Sequence, residues 1–377
     1  MEITVKTLAG LEEILANELK ALGATEVQQG LRMVSCQGDM RLLYAANLHL
    51  GVGIRVLQVI DRFIAHDEKS LYRMLGKTDW SQHLDKEGTL WVDAISQSRR
   101  FKNTQFLARL TKDAIVDQFR TATGTRPSVV KEHPDLRINV HIGNKGHTTL
   151  SLDSSGEGLH RRGYRRKTGG APLNEVLAAG LLRLAEYQGE QVFVDPMCGS
   201  GTILCEAALI AAQQAPGLHR TFGFSHWPNF DAALWEGLRA EAKRAIRPLP
   251  HPIIGLDQDP TNIPIARVAL SRLQLEKQVD LQNGRIQDYT PPAADESKSP
   301  GGIVVTNPPY ELRLRTGNIE QLYQEIGDAF KKHYKGYSAW LFSANRDALK
   351  RVGLRTSRKI PLMNGPLEAR LQRYDMY

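Results

Sequence analysis

The sequence predicts an α/β protein in which a doubly wound, mostly parallel sheet with a C-terminal antiparallel hairpin follows two smaller α+β units. Three observations carry this. From residue 172 onward, short apolar or β-branched runs alternate with helix-length stretches, the rhythm of successive βαβ units. The first 155 residues instead group strands in pairs around a few helices. Between the two, residues 156–171 are rich in glycine and basic side chains and read as a linker.

In chain order, residues 3–5 read as a strand. Leu8, Leu11, Leu15, Leu19 and Leu22 then recur at three- and four-residue steps, forming one apolar helix face that ends at Gly23. Residues 27–36, a helical stretch at 40–50 and an apolar run at 54–64 complete a βαββαβ-like pattern, so residues 1–66 form a ferredoxin-like first domain. A second α+β domain spans 67–155. Its helix is marked by Phe106, Leu110, Ala114, Ile115 and Phe119, and its β pair flanks Gly143-Asn144-Lys145-Gly146. The third domain, 172–377, begins with a helix over 173–187. Strands follow at 192–194, 253–256, 279–281, 303–305 and 340–342, and a hairpin turns at Asn364-Gly365.

Composition narrows the function classes. No apolar stretch reaches the roughly 18 residues of a membrane span, and the N-terminus lacks the charged start and apolar run of a signal peptide, so a cytoplasmic protein without a membrane partner is expected. Cys36, Cys198 and Cys205 are an odd set without a C-x-x-C pair, which supports neither a disulfide framework nor a metal site. His219 and His226 stand in a loop before Trp227, where local packing is the expectation. The 49 basic against 41 acidic residues give a formal charge of +8, which favours an anionic partner such as nucleic acid. Arg99, Arg100 and Lys102 precede the second domain's helix, and Arg161, Arg162, Tyr164, Arg165, Arg166 and Lys167 crowd the linker. A tyrosine amid arginines suits phosphate contact with base stacking, and equally a plain solvated surface.

Two motifs carry chemistry. The strand at 192–194 runs through Asp195-Pro196-Met197-Cys198-Gly199-Ser200-Gly201-Thr202 into a helix, a glycine turn that lets backbone approach a ligand and presents free amides. Leucine at 204 removes the third glycine of the dinucleotide fingerprint, and no phosphate-loop G-x-x-x-x-G-K-[ST] is present. Asp257 ends the next strand, where it suits ribose hydroxyls, and Gln287-Asp288 follow the third, where a carboxylate suits an adenine amine. The second motif is Asn307-Pro308-Pro309-Tyr310, at the C-terminal edge of the 303–305 strand. The two prolines hold the chain extended. Asn307 and the Pro308 carbonyl then offer two acceptors beside the ring of Tyr310, which fits a planar group bearing an NH2. A cysteine nucleophile at Cys198 is disfavoured, because such chemistry does not call for an amine-accepting tetrapeptide.

With these residues the chain resembles the class I Rossmann-like S-adenosylmethionine-dependent methyltransferases. More closely, it is similar to the bacterial 23S ribosomal RNA guanine-N2 methyltransferases that carry an N-terminal RNA-binding THUMP domain. The residues carrying the closer resemblance are Gly10-Leu11-Glu12-Glu13, residues 112–117, the glycine turn, Ala215-Pro216-Gly217-Leu218-His219-Arg220 with Gly223-Phe224-Ser225-His226-Trp227, Asn307 to Tyr310, and Asn364-Gly365-Pro366-Leu367. The resemblance makes 67–155 the THUMP domain, with a family boundary starting near residue 44. It implies S-adenosylmethionine as cofactor and ribosomal RNA, free or in a large-subunit precursor, as partner. It further implies that Asp195 and the turn Gly199-Ser200-Gly201 hold the methionine end, Asp257 the ribose and Asp288 the adenine, with Pro196, Cys198, Thr202, Gln287 and Asn307 also among the cofactor-binding residues. Asn307, Pro308, Pro309 and Tyr310 would bind the guanine amine. The family commonly continues this motif with Gly-Glu-Arg, whereas Glu311-Leu312-Arg313 stand here. A transfer RNA guanine-N2 methyltransferase and a noncatalytic RNA-binding assembly factor are the alternatives.

Overall fold

The computed structural model describes residues 1–165, 172–294, 297, 300–309 and 319–377. They divide into two compact units, neither contiguous in sequence. The first holds residues 1–7, 15–159 and 219–240, and the second holds 8–14, 160–218 and 241–377.

The first unit is built on one sheet that runs through both expected N-terminal domains. The order β1 (Glu2–Lys6), α1 (Glu12–Ala21), β2 (Thr25–Gly30), β3 (Met33–Gln37), α2 (Met40–His49) and β4 (Arg55–Ile64) gives the βαββαβ pattern read from the sequence. After it come α3 (Glu68–Leu75), β5 (Thr89–Ser96), α4 (Thr104–Thr123), β6 (Ser128–Val129), β7 (Leu136–Ile142) and β8 (His147–Asp153). The strands lie in the order β2-β3-β1-β4-β8-β7-β5-β6. Strand β4 is the seam: it pairs antiparallel with β1 in the register Ile3↔Gln58 and with β8 in the register Leu57↔Asp153. Helix starts follow side-chain chemistry. Asp39 accepts from Leu42 N at 2.8 Å, Asp67 and Ser70 form a capping box, and Asn103 accepts from Phe106 N at 3.0 Å.

Residues 219–240, expected within the third domain, supply the first unit with an aromatic core. Phe224 is fully buried and stacks on Tyr44 with ring centroids 4.3 Å apart and on Phe222 at 5.4 Å, while Trp235 stands edge-on to it at 5.1 Å. The Tyr44 hydroxyl accepts from Asp231 N at 3.1 Å. Gly223 is needed here, since a Cβ on it would lie 3.0 Å from both the Asp153 carbonyl oxygen and Gly156 N. Beside it, Arg55 pairs with the buried Asp153 carboxylate and donates to the Gly156 carbonyl at 2.8 Å.

The second unit contains α5 (Glu175–Leu184), β9 (Val192–Asp195) and α6 (Thr202–Ala211); α7 (Ala232–Arg244) follows in the chain. Next come β10 (Ile253–Asp257), α8 (Asn262–Arg272), β11 (Val279–Asn283), β12 (Gly302–Thr306), α9 (Ile319–His333), β13 (Tyr337–Ser343) and α10 (Arg346–Arg351), closing with β14 (Arg358–Asn364) and β15 (Leu367–Asp375). The sheet order is β11-β10-β9-β12-β13-β15-β14. Strands β9 to β13 pair in parallel and the last two antiparallel, as the expected hairpin requires. Every residue of β9, β10, β12 and β13 is buried, the signature of a parallel sheet covered on both faces. The chain reverses direction across the sheet between β9 and β12, which makes their C-terminal ends the switch point where open α/β sheets bind ligands.

Truncating Phe224 to alanine removes the centre of the first unit's aromatic core, at a cost of about 3–5 kcal/mol. The expected outcome is a fall of about 6 °C or more in the melting midpoint, followed by circular dichroism.

Candidate functional site

At the switch point the second unit encloses a cavity of about 720 Å3, a size suited to a cofactor. Its wall brings together the two motifs separated by about a hundred residues of chain: Pro196, Met197 and Gly199 from the glycine turn, and Asn307, Pro308 and Pro309 from the tetrapeptide. Asp257, Arg285 and Gln287 line it from the ends of β10 and β11.

The turn is shaped for a ligand. Gly199 has φ +52°, with no atom within 4 Å of where a Cβ would stand, so that side of the turn is open. Gly201, at φ +80°, is the N-cap of α6 and contributes no side-chain cap, leaving the first helical amides without one. A Cβ on Gly201 would lie 2.8 Å from that of Ala266, so glycine also allows α8 to approach. Leu204, which breaks the dinucleotide fingerprint, occupies space that Gly255 leaves: a Cβ at 255 would meet its Cδ1 at 2.2 Å. Close packing of helix on strand is thus kept, with the glycine moved from the helix to the strand.

Three side chains fix the geometry. Asp195 is 1% exposed, and its Oδ1 accepts from Thr306 Oγ1 at 2.8 Å and from Met197 N at 3.3 Å. Burial lifts its carboxyl to about 7 from an ordinary 3.8, against the pull of those hydrogen bonds. Asp257 accepts from Gly199 N at 2.8 Å through Oδ2, and from Asp259 N at 2.9 Å and Asn262 Nδ2 at 3.1 Å through Oδ1. Three of its roughly four acceptor sites are therefore occupied, which leaves room for one hydroxyl rather than the two expected. Asn307 Oδ1 is buried at the cavity wall without a hydrogen-bond partner among the described residues. An unsatisfied buried acceptor in a ligand cavity marks a place for a donor.

The expected site residues divide. Ser200 is half-buried, and Thr202 is buried with its hydroxyl turned to Arg165 at 2.6 Å. The Cys198 thiol is buried, and burial beside Asp195 and Asp257 pushes its ionisation far up, away from thiolate chemistry. Asp288, expected at the adenine, is exposed, and the cavity wall at this point is formed by its neighbour Gln287. The two sit in a single 3-10 turn, Ile286–Asp288, whose successive side chains point about 120° apart, so only one of them faces inward. Gln287 donates its amide to Glu325, which also pairs with Arg285.

The linker stretch requires a second correction. Arg162 and Tyr164 are each 2% exposed, which withdraws them from RNA contact. Tyr164 donates to Glu206 Oε1 at 2.9 Å, and Arg162 Nε stands 3.5 Å from the same oxygen. Arg165 is half-buried and faces the Glu175 carboxylate at 3.3 Å. Arg161 is exposed, as are Arg99, Arg100 and Lys102 in the first unit. Tyr310, Arg166, Lys167 and Glu311-Leu312-Arg313 lie outside the described residues.

Sequence reasoning missed Thr306, Leu322 and the hairpin turn Asn364-Gly365-Pro366-Leu367 as parts of the site. The turn was legible, but its place was not. It reaches the cavity because β15 runs antiparallel to β13 in the register Ser343↔Arg370, which brings the start of β15 to the sheet's C-terminal edge.

Fold and site together define a methyltransferase of the class I fold. The chain belongs to the RMKL-like methyltransferase family, whose methyltransferase-domain model matches residues 162–373; a THUMP domain matches 65–153 and an RlmL ferredoxin-like domain 2–57. It is 40% identical over 373 residues to the putative RNA methyltransferase slr0064 of Synechocystis, covering 98% of this chain and 95% of that protein. It is 39% identical to the ribosomal RNA large subunit methyltransferase K/L of Syntrophotalea carbinolica, covering 97% of this chain and 52% of that protein. The chain thus spans about half the length of that relative. Its fold matches the crystal structure of SMU.472, a putative methyltransferase complexed with SAH, at a TM-score of 0.87 and 28% identity, over 100% of this chain and 98% of that one. It also matches a predicted N6-adenine-specific DNA methylase from Listeria monocytogenes at 0.88 and 28%, over 100% and 96%.

Because Asp195 ionises near 4 in the unfolded chain and near 7 in the folded one, the folded state holds a proton the unfolded state has lost between those values. Its contribution to stability therefore falls as pH rises across that window. Asp195→Asn is expected to flatten the dependence of the melting midpoint on pH between 5 and 7.5 and to raise it at pH 8, as read by calorimetry of the free protein.

Proposed function

We propose that this chain transfers a methyl group from S-adenosylmethionine to the exocyclic N2 amine of a guanosine in large-subunit ribosomal RNA. The observation that carries the reading is the unsatisfied Asn307 Oδ1, set in the same cavity wall as the open glycine turn. The residues present fit the cofactor. The open side of the turn at Gly199 suits the methionine end, with Asp195 holding that turn through Met197 N; Asp257 suits one ribose hydroxyl, and Gln287 the adenine amine. Gln287 gives an amide hydrogen to Glu325, which leaves Oε1, its acceptor, for that amine.

When bound, S-adenosylmethionine supplies a methyl group on a sulfonium, and the bonding pair returns to sulfur as the methyl leaves. The residues around the acceptor have a positioning task. A guanine amine delocalises its lone pair into the ring and is a weak nucleophile. Accepting its two hydrogens at Asn307 Oδ1 and the Pro308 carbonyl favours a pyramidal nitrogen with its lone pair directed into the cavity. The proton is lost to water after transfer. A base within folded RNA must leave its stack to reach this wall, which accounts for the tyrosine at 310 and for a separate RNA-binding part.

Ribosomal RNA is supported by the K/L relatives and the THUMP match, and Arg99, Arg100 and Lys102 are the exposed cations through which the first unit would meet phosphates. Adenine N6 is the second reading, favoured by the Listeria structure and by a tetrapeptide that fits both amines.

Mass-spectrometric nucleoside mapping of RNA with and without the protein is expected to show N2-methylguanosine gained in the large-subunit RNA. A gain of N6-methyladenosine or a transfer RNA product would replace this assignment. Asn307→Ala is expected to lower kcat by about a hundredfold or more while RNA affinity holds; full turnover would remove Asn307 from the role. Changing Arg99, Arg100 and Lys102 together to alanine is expected to reduce the salt slope of RNA binding by about two to three, measured by filter binding.

A further inference from the structure

We infer that Arg165 is a positioning residue for the cofactor site, holding the glycine turn through Thr202. This rests on the reading of the cavity as the S-adenosylmethionine site. Its guanidinium meets three points of the chain: Nη2 donates to the Leu173 carbonyl at 2.9 Å and to Thr202 Oγ1 at 2.6 Å, and Nη1 stands 3.3 Å from Glu175 Oε1. Leu173 directly follows Pro172, which lines the cavity, and Thr202 directly follows Gly201, the last residue of the turn. One planar group therefore ties the segment entering the cavity wall to the first residue of α6.

The tie is needed because α6 lacks the usual means of holding its own start. Its N-cap is Gly201, with no side chain to accept from the first amides. A cation beside a helix N-terminus is electrostatically unfavourable, so its placement there calls for compensation. Glu175 provides it, and Glu206 lies four residues along α6 from Thr202. At Glu206 the same incoming segment adds a second hold, through Tyr164 and Arg162. The two holds fix the first turn and a half of α6 from outside, and no side chain caps its first amides. A lysine keeps the charge but cannot satisfy a carbonyl, a hydroxyl and a carboxylate with one rigid fork.

The test uses the full chain with Arg165→Lys, Thr202→Val and the double variant. It reads SAH affinity by calorimetry, KM for S-adenosylmethionine, kcat, RNA affinity and melting midpoint. Each single variant is expected to weaken SAH binding and raise KM about tenfold, with kcat at saturation within about threefold and RNA affinity within about twofold. The double variant should be no weaker than Arg165→Lys alone, since both changes break one contact. Unchanged SAH affinity in folded variants overturns the inference, as does additivity in the double variant. A loss of RNA affinity with SAH binding intact also overturns it and returns Arg165 to RNA contact. If Arg165→Lys does not fold, Thr202→Val alone decides by its SAH affinity. Failure of the unaltered protein to bind SAH would instead remove the reading of the cavity.

Discussion

The hydrogen bond from Thr306 to Asp195 is the constraint on which the site depends. It joins the ends of β9 and β12, adjacent strands between which the chain reverses across the sheet. On one side, Asp195 opens the glycine turn; on the other, Thr306 directly precedes Asn307. A buried carboxylate is costly, and the lift of Asp195 to about 7 shows that its two hydrogen bonds do not fully offset the lost hydration. The protein keeps a destabilised acid at a position that sets the spacing between the glycine turn and Asn307. This is the pattern expected where function and stability pull apart.

A second electrostatic arrangement surrounds the same turn. The cluster between Arg161 and Arg165 looks, in one dimension, like a solvated or RNA-facing basic run. In the fold, Arg162 and Arg165 face Glu206 and Glu175, carboxylates placed by helices α6 and α5. Those glutamates stand among residues otherwise apolar, 5% exposed or less. Their presence in two nearly apolar helices was the available signal, because charged groups are rarely buried without a partner. Sign and spacing along the chain do not say which partner will lie opposite.

The division of the chain into units follows packing rather than sequence order. Residues 219–240 interrupt the methyltransferase sequence, yet their aromatic side chains complete the core around Tyr44. The Gly-Phe-Ser-His-Trp element stood out in the sequence through family resemblance, and its physical role is to bury rings and admit Gly223 against Gly156. A linear domain boundary cannot represent such a segment, since burial counts contacts in space.

The sequence by itself determined the local elements and the two motifs. Periodicity of 2 and 3.6 residues, the glycines at 199 and 201 and the prolines at 308 and 309 act within a few residues, so the parallel strands, the glycine turn and the C-terminal hairpin were legible, whereas α3, β5 and β6 were not. Only the tertiary structure decided what depends on meeting distant residues. It set β9 beside β12 and thereby Thr306 against Asp195. It turned Gln287 rather than Asp288 toward the cavity, brought the 364–367 turn to the wall, and buried Arg162 and Tyr164. Each of these follows from strand order and from where a side chain finds its partner, and neither is encoded in the spacing of residues along the chain.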